Sequence, residues 1–593
     1  MTMEVLSSGL FNPKSIHRAR TPNLHFKSKS KPGGGHRNSG RSSVSHQLEE
    51  GHRYTRPNSF CRANSTRENN GNNEGSDEEE KGRIHFVGIG GSGLSALAML
   101  ALKQGWKVSG SDVTWSMHMN ALERAGARLH IGHSSTHLLE KNKQASLPVA
   151  VVVSAAIPED NEEISFARTL GIQIYERNAW LAKITERYNV VAVSGSHGKS
   201  TTTAMLAFVL HSLGDDITAI VGANVPQFPE GGNAIAGHGS CFVLEADEYK
   251  ECFLGISPSL AIITNVEWEH VDFFQNEASV REVFRRFVMR VKLGGILIAC
   301  GDSPGVCSLL GTLQPKKWAA RGLTSEISTQ RVGFNSGCRL MTYGYEETND
   351  WRAVSVMPNA SGGTDYVVLY AGMPMAKVSL KLPGTHNVIN SLAVIASVAS
   401  LAEGQSRNFN VRNELRTTQE VVKAASKHLG NFIGICRRFE FVGKIQGCDI
   451  YDDYAHHPTE VHAVLQATRQ RFSERALWVV FQPHTYSRLA GLLQDFSVAF
   501  NYADRVIVTK VYAAREKNIW NISGKDLVSS IIGPSTEYIP ELDDVLERLV
   551  CEIPSYHGEV VILTLGAGDI TTLGPRLLND IWHYITYNSK AHL

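Results

Sequence analysis

The stretch VAVSGSHGKSTTTAML, Val191 to Leu206, decides how this chain is read. A full phosphate-binding P-loop reads G-x-x-x-x-G-K-[ST], and counting back from Gly198-Lys199-Ser200 puts Val193 where the first glycine belongs. The apolar run NVVAV before the loop reads as a buried strand, and STTTAMLAFVLHSLG after it reads as a helix. Gly195 to Lys199 therefore falls at a strand-to-helix corner, where backbone N–H groups and the helix dipole favour a phosphate. The reading is a tighter loop that keeps its function. Gly195 and Gly198 offer N–H groups, Lys199 brings charge to the outer phosphates, and Ser200 brings a hydroxyl for Mg²⁺. The bland alternative is a helix start in a Ser/Thr-rich turn.

Two acidic clusters lie downstream. FVLEADEYKECF supplies Glu245, Asp247 and Glu248, and AIITNVEWEHVDFF supplies Glu267, Glu269, His270 and Asp272, each at the end of an expected strand. In a doubly wound sheet the strand C-termini gather along one edge, so both clusters should face the loop and assemble metal ligands around ATP. Upstream, Gly88-Ile89-Gly90-Gly91-Ser92-Gly93 follows a strand and opens a helix, and Asp112 closes the next strand. That G-x-G-x-x-G spacing points to a nucleotide diphosphate without naming it, and on this ground alone a dehydrogenase fits as well.

Strands and helices alternate outward from these motifs, so the expected fold class is α/β with parallel sheets. IHFVGIG, WKVSGSD, ARLHIGH, PVAVVVSAA and IQIYE form one series; NVVAVSGS, FVLEAD, LAIITNV and GGILIACGD form a second; and a third runs from Ile450 through ALWVVFQPH, RVIVTKVY and VVILTLGAG. RAVSV, DYVVLY and AKVSLKL read as antiparallel strands before a helix over Asn387 to Leu401. The polar stretch Gln405 to Lys427 reads as a linker or insertion.

With 59 Lys+Arg against 58 Asp+Glu, the composition carries no electrostatic bias toward nucleic acid or membrane. No apolar run approaches the roughly 20 residues needed to span a bilayer, so no transmembrane segment is expected. Nine cysteines, scattered singly, argue against a disulfide framework or a zinc site. Up to His46 the chain is basic, Ser-rich and has Glu4 as its single acid, the pattern of an organelle transit peptide, and folding is expected to begin near Arg83.

HFVGIGGSGLSALAMLALKQGWKVSGSD, SGSHGKSTTTAM, EADE, TNVEWEHVD, GTHNVINSLAVIA, RRFEFVG, YDDYAHHPTEV, FQPHTYSR, VYAAREK and LGAGDI occur in the order and approximate spacing of the Mur ligases. The chain resembles that family from about Arg83 to Gly574. The resemblance implies three domains: a Rossmann-like UDP-sugar domain over 81–185, a P-loop-type central ATPase over 186–404 and, after a linker over 405–430, a Rossmann-like C-terminal ligase domain over 431–593. It implies an ATP- and Mg²⁺-dependent amide-forming ligase acting on a UDP-N-acetylmuramate-like substrate and a small amino acid such as L-alanine. A plastid is then the fitting organelle for the leader.

By the same resemblance Gly88, Gly90, Gly91, Ser92, Gly93 and Asp112 contact the UDP-sugar, and Ser200, Glu245 and His270 hold the metal. Gly195, Ser196, His197, Gly198, Lys199, Ser200, Thr201, His386, Asn387 and Asn390 bind ATP. Lys199, Arg438, His457 and Arg488 reach the reacting centre, where His457, or Asp453 through it, orients the amine. Departures from the family pattern are Glu269 where aspartate is frequent, Tyr249 to Cys252 after the EADE acids, and Thr385 and Thr485 at positions often basic.

Overall fold

Strand β1 (Arg83–Val87) is buried at every position, because as the central strand it has neighbours on both sides and layers on both faces. The computed structural model describes residues 82–591 apart from 140–146, 155, 230, 272, 314–336, 404–416 and 515. The expected leader, Asp272, and most of the stretch between Cys307 and Cys338 lie outside the described residues. All described residues belong to one compact unit containing three sheets.

The first sheet joins β1 to β2 (Lys107–Asp112), β3 (Arg128–Ile131), β4 (Ala150–Val153) and β5 (Gln173–Glu176), all parallel, in the order β3-β2-β1-β4-β5. The order reverses beside β1, so the glycine loop Gly88 to Gly93 sits at the crevice where open α/β sheets bind ligands.

The second sheet has ten strands. Its parallel heart is β6 (Asn189–Ser194), β9 (Cys241–Glu245), β10 (Leu260–Ile263) and β11 (Ile296–Cys300), with β7 (Ile217–Ile220) and the short β8 (Ala234–Ile235) at one edge. Beyond β11, β12 (Arg339–Gly344) leads into the antiparallel β13 (Trp351–Pro358), β14 (Thr364–Tyr370) and β15 (Met373–Leu380). The antiparallel strands read from sequence thus extend the nucleotide-binding sheet itself.

Helix Thr385–Glu403 packs inside this body with 13 buried residues. It is long and apolar enough to cross a membrane, which the sequence reading missed, but 72% of its apolar window is buried against the sheet and neighbouring helices. It is a core helix here. The expected linker also needs correction in its second half, since Thr418–Leu429 is a helix closed by a Thr417/Glu420 capping box. Val421, Val422, Ala425 and Leu429 join the central core.

The third sheet runs β16-β17-β21-β18-β19-β20, from β16 (Glu440–Ile445), β17 (Cys448–Asp453), β18 (Ala476–Phe481), β19 (Arg505–Val508), β20 (Ser535–Tyr538) and β21 (Val560–Leu565). Only β16 is antiparallel. Two separate apolar layers cover its faces, so it has its own core.

Candidate active site

The shortened loop is explained by what lies over it. Gly195 has φ 137°, and a Cβ there would stand 2.0 Å from the Thr264 hydroxyl; Gly198 has φ 80°, and a Cβ there would meet Asn390 Oδ1 at 2.6 Å. Thr264 Oγ1 donates to the His197 carbonyl at 2.5 Å, while the Asn265 side chain accepts from His197 N at 2.8 Å. The segment after β10 therefore clamps the loop from above, and the glycine missing at position 193 lies inside β6, where no turn is made.

Lys199 opens the helix Lys199–Ser212, and its ammonium donates to the carbonyls of Gly195 (2.6 Å) and Ser196 (3.0 Å) and to Glu248 Oε1 (3.0 Å). Burial alone would favour loss of its proton, but Glu248, Glu269 and Asp247 outweigh it and hold the ammonium charged. Ser200 Oγ donates to Glu245 Oε1 at 2.9 Å, and Glu245 Oε2 accepts from Gly222 N at 2.5 Å. Burial raises the Glu245 pKa.

Asp247, Glu248 and His270 each place one ligating atom within 4.8 Å of the other two. His270 Nε2 lies 3.6 Å from Glu248 Oε1, the carboxylate that also holds Lys199. Lys199, Glu248 and His270 are thus linked directly, and Ser200 and Glu245 pair beside them on the same loop and strand end. The three expected metal ligands divide between two places: Ser200 with Glu245, and His270 with Asp247 and Glu248. Hard oxygen donors in the first suit Mg²⁺ beside a phosphate, and the mixed donor set in the second suits a further divalent cation.

Glu267 and Glu269 face the loop as the sequence suggested, Glu267 beside His197 and Glu269 acting on Lys199 and His270, and both also reach the loops of the C-terminal sheet. Glu267 Oε2 accepts from Thr459 Oγ1 at 2.9 Å and lies 3.3 Å from His197 Nε2. Glu269 lies 3.7 Å from Arg488 Nη2 and 3.8 Å from His456 Nε2. His197 Nδ1 is 3.4 Å from Glu460, which also pairs with Arg438 at 3.0 Å and His456 at 3.4 Å. Burial opposes a charge on His197, yet Glu267 and Glu460 push its pKa up to about 10. His457 N-caps the helix Pro458–Arg471, its ring centroid 4.7 Å from that of His197. Burial and the neighbouring imidazolium pull the His457 pKa down to about 4, so its ring is neutral at physiological pH.

The expected route from Asp453 through His457 is not built. Asp453 accepts from the backbone N–H of Phe439 and Ala455, at 2.7 and 2.8 Å, and so positions the strand end. Burial raises its pKa to about 6. Arg488 is buried, with Nη1 3.0 Å from His484 Nδ1.

A cavity of about 350 Å³ lies between the loop and the C-terminal sheet. Gly198, Ser200, Thr201, His386, Asn387 and Asn390 line one side, and Arg438, Asp453 and Glu460 line the other. Of the residues expected to bind ATP, His197, Gly198, Ser200, Thr201, His386, Asn387 and Asn390, distant in sequence, share this space, while Gly195, Ser196 and Lys199 do not line it. Burial holds His386 neutral, with its pKa near 4. Asn387 Nδ2 donates to Pro383 O at 2.8 Å and so secures the start of its own helix.

In the first sheet, Gly91 begins the helix Ser92–Lys103 with no side-chain cap, leaving the helix N-terminus to a ligand. Asp112 Oδ2 accepts from Gly90 N at 2.9 Å, which fixes the glycine loop. The Arg177 guanidinium lies over Gly93, its Cζ 2.5 Å from where a Cβ would stand. Arg177 also reaches within 4.0 Å of Asp247, tying the glycine loop to the metal-side acids. Sequence reasoning missed Arg177, Glu248's hold on Lys199, and Glu460. Glu248 and Glu460 had a visible signal, their places inside EADE and HHPTEV, and Arg177 had none.

Matched against known families, residues 83–189 fit the Mur ligase family catalytic domain, 193–320 the Mur ligase middle domain and 437–568 the Mur ligase glutamate ligase domain. The UDP-N-acetylmuramate--L-alanine ligase of Frankia casuarinae is 42% identical over 519 residues, covering 84% of this chain and 97% of that protein. The enzyme of the same name from Caldanaerobacter subterraneus is 35% identical over 85% of this chain and 99% of its own. Among solved structures, the UDP-N-acetylmuramate-alanine ligase of Thermotoga maritima superposes with a TM-score of 0.65 at 26% identity, covering 86% of this chain and all of the other. The murein peptide ligase of Psychrobacter arcticus shares the fold, with a TM-score of 0.58 at 22% identity over 84% of this chain and 98% of its own. A nucleotide-dependent ligase built from three α/β sheets is the class that fold and site define. The chain belongs to the Mur ligase family.

Proposed function

We propose that this chain joins L-alanine to the carboxyl group of UDP-N-acetylmuramate, with ATP as the energy source, in peptidoglycan precursor synthesis. One observation carries the reading. Lys199 with Glu248 and His270, and Ser200 with Glu245, form two contact sets on adjacent loop residues, and Ser200 lines a cavity whose opposite wall comes from the C-terminal sheet. The relatives named above act, by their names, on that acid and that amino acid.

A carboxylate resists attack by an amine, so it is first phosphorylated to an acyl phosphate. Gly195 to Gly198 position the triphosphate, and Lys199 neutralises charge spread over the transferring group. Ser200 and Glu245 would hold Mg²⁺, and Asp247, Glu248 and His270 a second divalent cation, which would supply further electrostatic stabilisation to the phosphate oxygens. His197, kept protonated, adds a positive charge on the loop's other side. Arg438 and Arg488 bring cations from the C-terminal sheet, and the contacts of Glu267, Glu269 and Glu460 hold that sheet shut, which keeps water from the acyl phosphate. The amine attacks the acyl carbon in its neutral form, the neutral His457 ring is able to accept its proton, and the acyl C–O bond breaks to expel inorganic phosphate.

The test is ADP release by the purified protein with and without UDP-N-acetylmuramate, across individual amino acids. Release that requires both the sugar nucleotide and L-alanine supports the reading; ATP binding with no turnover under any pairing defeats it. We place the enzyme in a plastid, on the basic, Ser-rich leader. A fusion of residues 1–80 to a fluorescent protein that stays in the cytosol would remove that assignment.

A further inference from the structure

A second, larger groove of about 990 Å³ opens beside the nucleotide cavity. Leu382, Gly434, Ile435, Arg438 and Phe439 line both spaces, so the two adjoin. Seven cationic side chains and two carboxylates line this groove, in a chain whose formal net charge is only +1. Both carboxylates are engaged. Glu440 accepts from Arg437 N at 2.7 Å, and Asp449 is held by Arg475 at 2.5 Å and Lys444 at 3.5 Å. Lys377, Lys381, Lys423 and Lys427 are exposed into the groove and form no ion pair among the described residues. They come from β15, the segment after it, and the helix Thr418–Leu429, so the fold, not a run in the sequence, gathers them.

We propose that this groove is a cationic approach channel through which the polyanionic nucleotide enters, and its diphosphate product leaves, while the central and C-terminal sheets remain in contact. Like charges in a cleft with partly apolar walls, here Ile433 and Phe441, focus the field and raise the local concentration of an anion. The effect belongs to the association rate and is screened by salt. Four lysines without carboxylate partners among the described residues, in a groove adjoining the nucleotide cavity, meet that description, whereas lysines serving only as solvated surface would be spread among acids. The proposal rests on the ATP reading given above.

The experiment is stopped-flow association of a fluorescent ATP analogue with the full chain. It compares wild type, Lys381→Glu/Lys427→Glu, and a charge-matched control, Lys525→Glu/Arg548→Glu. The control residues are exposed on helices flanking β20, at the opposite edge of the C-terminal sheet from β16 and β17, which line the groove. At low salt the groove variant should associate about tenfold more slowly than both others, and the gap should close to within about twofold at 0.5 M salt. An association rate equal to the control's at low salt overturns the channel alone. A wild type that binds no nucleotide overturns both the channel and the ATP reading.

Discussion

Carboxylates are buried among imidazoles at two places in this molecule, and the two differ in where their parts originate. In the first sheet, Glu163 is fully buried and accepts from Ser111 at 2.5 Å, His137 at 2.7 Å and His133 at 3.1 Å, with His85 at 3.6 Å. Every partner belongs to the same sheet or its loops. At the active site, Glu460 meets His197, Glu269 meets His456 and Arg488, and Glu267 meets Thr459 across the boundary between the central and C-terminal sheets. The first cluster stabilises one body whether or not substrate is present. The second exists only when two bodies are together, so its energy is available to closure.

Four substitutions test that division, beginning with the largest effect. Lys199→Ala removes the cation that the loop and Glu248 hold beside the boundary network, and turnover measured as ADP release should fall about 10³-fold, the scale for losing a preorganised charge at a phosphoryl transfer. Retained turnover would break the assignment of that side to catalysis. Glu460→Gln leaves Arg438 and His197 without their shared carboxylate; a loss of about 10²-fold in kcat/KM is expected, with the unfolding midpoint nearly unchanged.

Glu163→Gln should show the reverse pattern, with turnover nearly kept and stability reduced by roughly 3 kcal/mol in denaturant titration near neutral pH. Burial would raise the Glu163 pKa, but His85, Ser111 and His137 hold it at about 2. Its stabilisation is therefore complete above the ordinary carboxylate pKa near 4.5 and is lost as pH falls toward 2. The gap between wild type and Glu163→Gln should narrow across that window. The smallest effect belongs to Thr459→Ala, which removes a single hydroxyl contact to Glu267 at an exposed position. A change below about 1 kcal/mol, read as a modest rise in KM, would show that closure rests on the charged groups.

The same division explains what the sequence disclosed. Features made by neighbours in the chain were legible: both glycine loops, the alternating strands, and the acids at the ends of β9 and β10. Features made by distant residues were not. Glu163 gathers partners from three other segments, none with a recognisable spacing. Which EADE acid holds Lys199 depends on the turn of the chain after β9. Lys199, Ser200 and His270 were anticipated near one another, with Glu267 and Glu269 beside the loop, but the contacts of those two acids with Thr459, His456 and Arg488 of the C-terminal sheet were not. Helix Thr385–Glu403 escaped the apolar scan because serines interrupt it, and those at 397 and 400 satisfy their hydroxyls on carbonyls four residues back.

The nucleotide cavity has walls from two bodies that otherwise hold separate cores. Any tightly held occupant should then behave as a cross-link. In scanning calorimetry the empty protein should melt in distinct steps, and saturating adenine nucleotide should fuse the central and C-terminal transitions into one cooperative endotherm. An inhibitor designed for this space would be a molecular glue acting within a single chain, its residence time set by how seldom the two halves part.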